Sequence, residues 1–149
     1  MSEYLELTVD KFTFRVALDR LYTAEGVWAK PEGERIRTGL SDFLQQRSGD
    51  VAFAELKPAG TRQEQGEEFA VIETIKVNIS LGSPVSGIIL ETNPAMETSP
   101  EQINQDPYED GWLAIIQPEN WEADLQKLLE AQAYFNLMRE QVEAERDQQ

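Results

Sequence analysis

The chain has 149 residues and a formal net charge of −15, from 28 acidic against 13 basic side chains, and it contains neither cysteine nor histidine. Those absences exclude disulfides, thiolate nucleophiles, Cys/His zinc sites and histidine-based triads, while the charge disfavours nucleic-acid phosphates and either steers the chain toward basic faces of partners or serves solubility alone. With 40% hydrophobic residues, no apolar run near the ~20 residues of a membrane helix and no basic-then-apolar leader, the expectation is one soluble, cytoplasmic, monomeric domain without nucleic-acid or membrane partners. In chain order, residues 4–9 and 12–16 alternate apolar with polar side chains and read as strands or an N-terminal hairpin. Residues 21–30 read as one strand, 31–34 as a turn and 35–40 as the returning strand. Ser41 suits an N-cap, with Asp42 in the first turn of a short helix that ends near Gly49. Residues 51–56 form a further strand, closed by a turn at 57–60.

The densest pattern lies between Glu67 and Leu90. Residues 69–73 and 85–90 are rich in β-branched and bulky apolar side chains, which suit a pleated, half-buried surface. They flank a segment with Lys76 near its start. A lysine there projects from a turn held by strands, rigid at its base and with its amine in water. That geometry suits a covalent carrier, although most exposed hairpin lysines are only solvated.

Beyond the hairpin, Ser99 reads as the cap of a short helix with Pro100 at its first position, ending by Asp106–Pro107. Residues 112–116 read as the last core strand, with Trp112 a core aromatic. Asn120 caps a C-terminal helical segment whose apolar face is Trp121, Leu125, Leu128 and Phe135. Residues 143–149 read as a frayed, solvated tail.

Two of these segments carry a resemblance. Glu73-Thr74-Ile75-Lys76 followed by Ser83-Pro84-Val85-Ser86-Gly87 resembles the lipoyl-attachment segment of glycine cleavage system H-proteins, where Glu-Ser-Val-Lys precedes Pro-Val-Ser-Gly. Asn104-Gln105-Asp106-Pro107-Tyr108-Glu109-Asp110-Gly111-Trp112-Leu113 is similar to the Asn-x-Asp-Pro-Tyr-x-x-Gly-Trp-Leu of the same family. Weaker likenesses are Gly49-Asp50-Val51, Glu55-Leu56 and the stretch 130–134, near which the family's helix is broken in two. The resemblance departs at Glu25-Gly26-Val27-Trp28, where the family has His-Glu-Trp.

The resemblance implies a mainly β (α+β) fold, a flattened lipoyl-type β-barrel sandwich with short helices and a C-terminal helical segment. It implies lipoic acid attached covalently to Lys76, with Glu73 as a candidate for recognition by the attaching enzyme. No catalytic or metal-ligating residue is expected, so the chain is a carrier rather than an enzyme. Its implied partners are a lipoate–protein ligase or lipoyl transferase, dihydrolipoamide dehydrogenase, and either glycine cleavage enzymes or a heterodisulfide-reductase-like complex. Because the histidine is missing, the leading expectation is the H-like lipoate-binding branch of sulfur oxidation, with the arm carrying sulfur intermediates. The alternatives are a glycine cleavage H-protein carrying the aminomethyl group, and an interaction domain that keeps the fold without lipoylation.

Overall fold

The computed structural model describes residues 3–147. Strands β1 (Tyr4–Val9) and β2 (Phe12–Ala17) pair antiparallel in a two-stranded sheet, closed by a two-residue turn at Asp10 and Lys11. The single strand expected over 21–30 is two: β3 (Leu21–Tyr22) and β4 (Val27–Glu32). The break comes from a turn in which Thr23 donates its N–H to the Val27 carbonyl and Gly26 donates to the Thr23 carbonyl. Pro31 stays within β4, so the next turn falls at Gly33–Glu34 before β5 (Arg35–Leu40).

Helix α1 (Asp42–Ser48) begins where expected: the Ser41 hydroxyl accepts the Leu44 N–H at 3.2 Å. Then follow β6 (Val51–Leu56), β7 (Arg62–Gln63), β8 (Glu68–Thr74), β9 (Asn78–Gly82) and β10 (Gly87–Thr92). Strand β9 has no counterpart among the expected elements, and the strand expected over 85–90 starts two residues later. Helices α2 (Ala95–Thr98) and α3 (Gln102–Gln105) are single turns. Ser99 does not cap α3 with its side chain; its backbone carbonyl instead accepts the Gln102 N–H. Strand β11 (Ala114–Pro118) begins two residues beyond Trp112, which is half-buried with the Arg37 guanidinium 4.6 Å from its ring centre.

The C-terminal segment is broken, into α4 (Trp121–Leu125) and α5 (Ala131–Asp147). The break has a backbone cause: Leu129 exchanges both backbone hydrogen bonds with Tyr22 of β3, at 2.7 and 2.8 Å. A residue inside a helix has already committed those groups to its own helix. Leu125 therefore leaves the expected apolar face and is 37% exposed. Asn120 does cap α4, accepting the Ala123 N–H. The tail expected to fray from 143 remains helical through Asp147, tied by a 2.6 Å ion pair from Glu145 to Arg47 of α1; residues 148 and 149 lie outside the described part.

Among the described residues a six-stranded sheet (β3-β4-β5-β11-β10-β7) faces a three-stranded one (β6-β8-β9). Their inner faces share one apolar core, with Ile36, Leu40, Ile89 and Ile116 from the first and Phe69, Ile72 and Leu81 from the second. This is the mainly β, flattened lipoyl-type sandwich expected. A second core joins β2, α1 and α5 through Phe14, Val16, Phe43, Tyr134 and Met138, with Trp28 and Tyr108 beside them. No helix among the described residues is long and apolar enough to cross a membrane.

Candidate functional site

Strands β8 and β9 run antiparallel, with Glu73 opposite Asn78 as the last registered pair before the loop. A loop follows whose tip is Ile75, Lys76 and Val77, all exposed. One side chain organises it. The Thr74 hydroxyl accepts the N–H groups of Lys76 and Val77, at 3.2 and 3.0 Å, and lies 2.6 Å from the Ser48 carbonyl and 2.9 Å from that of Val77 as acceptors for its single proton. A threonine that bonds its own following backbone in this way makes a local turn. The Thr74 N–H also donates to the Val77 carbonyl, and the Ile75 N–H to the Asp50 carbonyl. The loop is thus fastened both to itself and to the chain leaving α1.

That chain is held in turn by Asn104. Its amide donates to the backbone carbonyl of Gly49 and to the side-chain oxygen of Gln45, each at 3.0 Å, while its oxygen accepts the Val51 N–H at 2.9 Å. The segment beginning at Asn104 and the segment ending at Lys76, separate in sequence, are therefore two sides of one clamp around Gly49–Val51. Farther along, the Pro107 carbonyl accepts the Trp28 indole N–H, and the Tyr108 hydroxyl donates to the Arg15 carbonyl. Burial pushes the hydroxyls of Tyr22, Tyr108 and Tyr134 above the ordinary tyrosine range, that of Tyr134 to about 12.

Gly49 shows why the clamp needs a glycine. It stands at φ +92°, and a side chain there would meet the Lys76 stem, the nearest atom being Cδ at 2.9 Å. Glycine alone takes that backbone angle without strain. The aliphatic stem of Lys76 lies on the bare backbone while the residue as a whole stays exposed, as long cationic side chains commonly do. No ion pair among the described residues involves Lys76 or Glu73. Glu73 is half-buried on β8 beside Phe53 of β6, which is 67% exposed. So the structure puts both expected site residues on one hairpin, three positions apart. It adds Thr74, Gly49 and Asn104, which reading the sequence did not single out for the site. A threonine closing a strand before a three-residue tip is the signal that could have found the first.

A sequence model of the glycine cleavage H-protein family matches residues 20–141. The chain belongs to that family. Among curated members, the glycine cleavage system H protein of Anaeromyxobacter sp. (strain K) is 42% identical over 123 residues, covering 83% of this chain and 95% of the relative. One from Thermus thermophilus is 41% identical over 120 residues, covering 80% of this chain and 93% of the relative. The crystal structure of a glycine cleavage system H protein from Mycobacterium marinum superposes with a TM-score of 0.71 at 32% identity, covering 78% of this chain and 94% of that one. Members of the H-protein family carry a lipoyl group covalently on a lysine, and this chain is such a lipoyl carrier, working with partner enzymes. The fit is physical as well: the loop offers an exposed primary amine on a four-carbon stem whose base is hydrogen-bonded in place. The family match leaves out residues 3–19, so β1 and β2 are additions to the body that it covers.

Proposed function

We propose that Lys76 is the lipoyl attachment point and that the arm serves glycine cleavage, receiving the aminomethyl group of glycine from the decarboxylase and presenting it to the aminomethyltransferase. The observation that carries the attachment is the Thr74-fastened tip, which presents an exposed amine, without an ion-pair partner among the described residues, at the position the family's motif reserves for lysine. Glycine cleavage takes precedence over the sulfur pathway because the relatives covering almost their whole length carry that name. The lipoyl dithiolane supplies a two-electron disulfide/dithiol couple, and dihydrolipoamide dehydrogenase restores the disulfide. The chain's own part is to hold the root of the arm still and leave its tip mobile, so that one tethered reactant reaches each enzyme at high effective concentration. A lipoate–protein ligase or lipoyl transferase installs the group in the cytoplasm. Glu73, half-buried three residues before Lys76 and without an ion pair among the described residues, is the residue we assign to recognition by that enzyme.

Sulfur carriage with a heterodisulfide-reductase-like complex stands second, on one observation. Gly26 occupies the place of the family's histidine at φ +103°, and a Cβ there would lie 2.9 Å from the Tyr134 hydroxyl and 3.1 Å from Ser41 Oγ. Those two oxygens bond each other at 2.8 Å. This corner is built around having no side chain at 26.

Intact-mass spectrometry tests both readings. The protein treated with ligase and lipoate should gain one lipoyl group, and Lys76→Arg none. Incubated with glycine decarboxylase, pyridoxal phosphate and glycine, the lipoylated protein should then gain an aminomethyl group. An arm that is lipoylated but never loaded would overturn glycine cleavage in favour of the second reading.

A further inference from the structure

The rest of the molecule treats the two edges of the β1–β2 hairpin in opposite ways. Leu18 donates its N–H to the Glu3 carbonyl, which marks Glu3 and Leu18 as a hydrogen-bonded pair. In an antiparallel ladder such pairs alternate with pairs whose N–H and C=O groups turn outward. The outward pairs are therefore Tyr4 with Ala17, Glu6 with Arg15 and Thr8 with Thr13. On the β2 edge the body of the protein takes up these groups. The Arg15 N–H donates to Asp42 Oδ2 at 2.9 Å and its carbonyl accepts the Tyr108 hydroxyl at 2.7 Å. The Thr13 carbonyl accepts Gln46 Nε2 at 3.0 Å, and the Ala17 carbonyl accepts the Tyr22 hydroxyl at 2.7 Å. On the β1 edge, no hydrogen bond among the described residues reaches the outward backbone groups of Tyr4, Glu6 or Thr8.

An unpaired edge is a template for another strand, and proteins usually guard it with shortness, a bulge, a proline or a lysine. The six-stranded sheet ends in β3 and β7, of two residues each, and β6 is interrupted by a register shift between Val51 and Phe53. Strand β1 has six residues in unbroken register, without proline or lysine. The hairpin's apolar face is already committed to the body. Phe14 and Val16 enter the second core with Leu5 and Leu7 packed against it, and Val9 and Phe12 border a groove shared with Phe43 of α1 and Val142 of α5. What the hairpin leaves open is its outer edge.

We propose that the free edge of β1 is a strand-addition site for an extended, basic segment of a partner protein in which apolar and cationic residues alternate. Charge selects the occupant. Glu3, Glu6 and Asp10 lie along this hairpin against Lys11 alone on that side of the turn, in a chain of net charge −15. The Glu6 carboxylate leans back to Arg15 Nε at 3.2 Å, and both side chains stay exposed. A cation opposite Glu6 would extend that pair into a row of alternating charge across the sheet, and opposite charges facing each other stabilise a ladder. Residues opposite Leu5 and Leu7 fall on the other face, where they would extend the hairpin's apolar surface; hence the alternation. A second copy of this chain fits worse. The two-fold register that sets Tyr4 against the copy's Thr8 also sets Glu6 against the copy's Glu6, and like charges directly opposite are destabilising.

A partner gripped here leaves Lys76 uncovered and near. Asp42, which holds Arg15, is the first residue of α1, and the Lys76 stem lies against Gly49, the C-cap of the same helix. A helix of this length spans about 10 Å. Holding the partner by its backbone at one end of α1 raises its effective concentration at the lysine beyond the other end. The hairpin lies outside residues 20–141, which match the family, so the grip is this chain's addition to the shared body and does not depend on what Lys76 carries.

Amide–water hydrogen exchange, followed residue by residue by NMR on the full-length protein, tests the site. In the free protein the amides of Tyr4, Glu6 and Thr8 should exchange fast, and those of Leu5, Leu7 and Arg15 slowly. The probe is a capped Lys-Val-Lys-Val-Lys-Val peptide; the controls are Glu-Val-Glu-Val-Glu-Val and a backbone N-methylated form of the basic peptide. At about four times its Kd the basic peptide should slow exchange at Glu6 and Thr8 about fivefold, with no slowing by either control. Thr8→Pro removes one outward donor where an edge strand accepts proline, and should weaken peptide binding while the β1–β2 ladder keeps its protection. Outward amides already protected in the free protein, no slowing at millimolar basic peptide, or equal slowing by the N-methylated form would each overturn strand addition. Protection that rises with protein concentration alone would assign the edge to a second copy and overturn the basic partner. Lipoylation of Lys76, read separately by intact mass, stands or falls independently of these results.

Discussion

Two hairpins of this molecule carry a lysine at the tip, and they are built differently. The β1–β2 turn is two residues long, Asp10 and Lys11, with Asp10 at φ +56° and the strand ladder closing directly on Val9 and Phe12. The β8–β9 tip is longer and is fastened by Thr74 to itself and to the end of α1, and by the Ile75 N–H to the Asp50 carbonyl beyond it. In the first, the turn closes directly on its own strand ladder. In the second, the base of the lysine is bonded to a separate part of the fold. A lysine at a hairpin tip is thus common surface chemistry; a lysine whose root is tied to the body is suited to carrying something.

The largest expected effect would break that comparison outright. Lys76→Arg should abolish lipoylation while Lys11→Arg leaves it complete, read by intact mass; lipoylation that survives Lys76→Arg refutes the distinction. Next comes the fastening. Thr74→Val keeps the shape but removes the hydroxyl that serves two N–H groups and the Ser48 carbonyl, and should cost about 1–3 kcal/mol in denaturant unfolding as well as slowing lipoylation. Thr74→Ser should restore most of both, which a purely steric effect at the position would not.

Asn104→Ala sharpens the comparison by loosening the clamp from its other side. It leaves the Gly49 carbonyl and the Val51 N–H without their partner, at about 1–3 kcal/mol, with a smaller loss of lipoylation than Thr74→Val because the tip keeps its own bonds. The smallest and broadest effect concerns pH. Burial raises the hydroxyls of Tyr22, Tyr108 and Tyr134 above their unfolded value. A raised group contributes stability that is fully present below its unfolded pKa and is lost as pH rises toward the folded one. Unfolding free energy should therefore hold up to about pH 10 and fall above it. Tyrosinate absorbance from these three should appear together with unfolding rather than before it.

Local pattern was enough wherever an element's chemistry lies within its own residues. The alternation of β1 and β2 and the Ser41 cap of α1 were readable because period and cap are short-range signals. Elements whose cause lies elsewhere in the chain were not. Strand β9 has only Ile79 and Leu81 inward against Asn78, Ser80 and Gly82, and it exists because β8 offers it a paired edge. The end of α5 reads as a polar tail, yet Arg47 across the groove holds it. The break in the C-terminal helix was signalled only by the resemblance at 130–134; its cause, the pairing of Leu129 with Tyr22, lies more than a hundred residues away.

By itself the sequence determined that this chain is an acidic, cysteine- and histidine-free, mainly β protein with a lysine poised on a strand-held turn, because composition and spacing are properties of the chain alone. Only the tertiary structure decided that Asn104 and the Thr74–Ile75 loop together hold the chain from Ser48 to Val51 beneath that lysine. It also brought the β1–β2 hairpin and the end of α5 together around one groove. Those arrangements depend on contacts between residues dozens of positions apart, and such contacts form only when the sheets close.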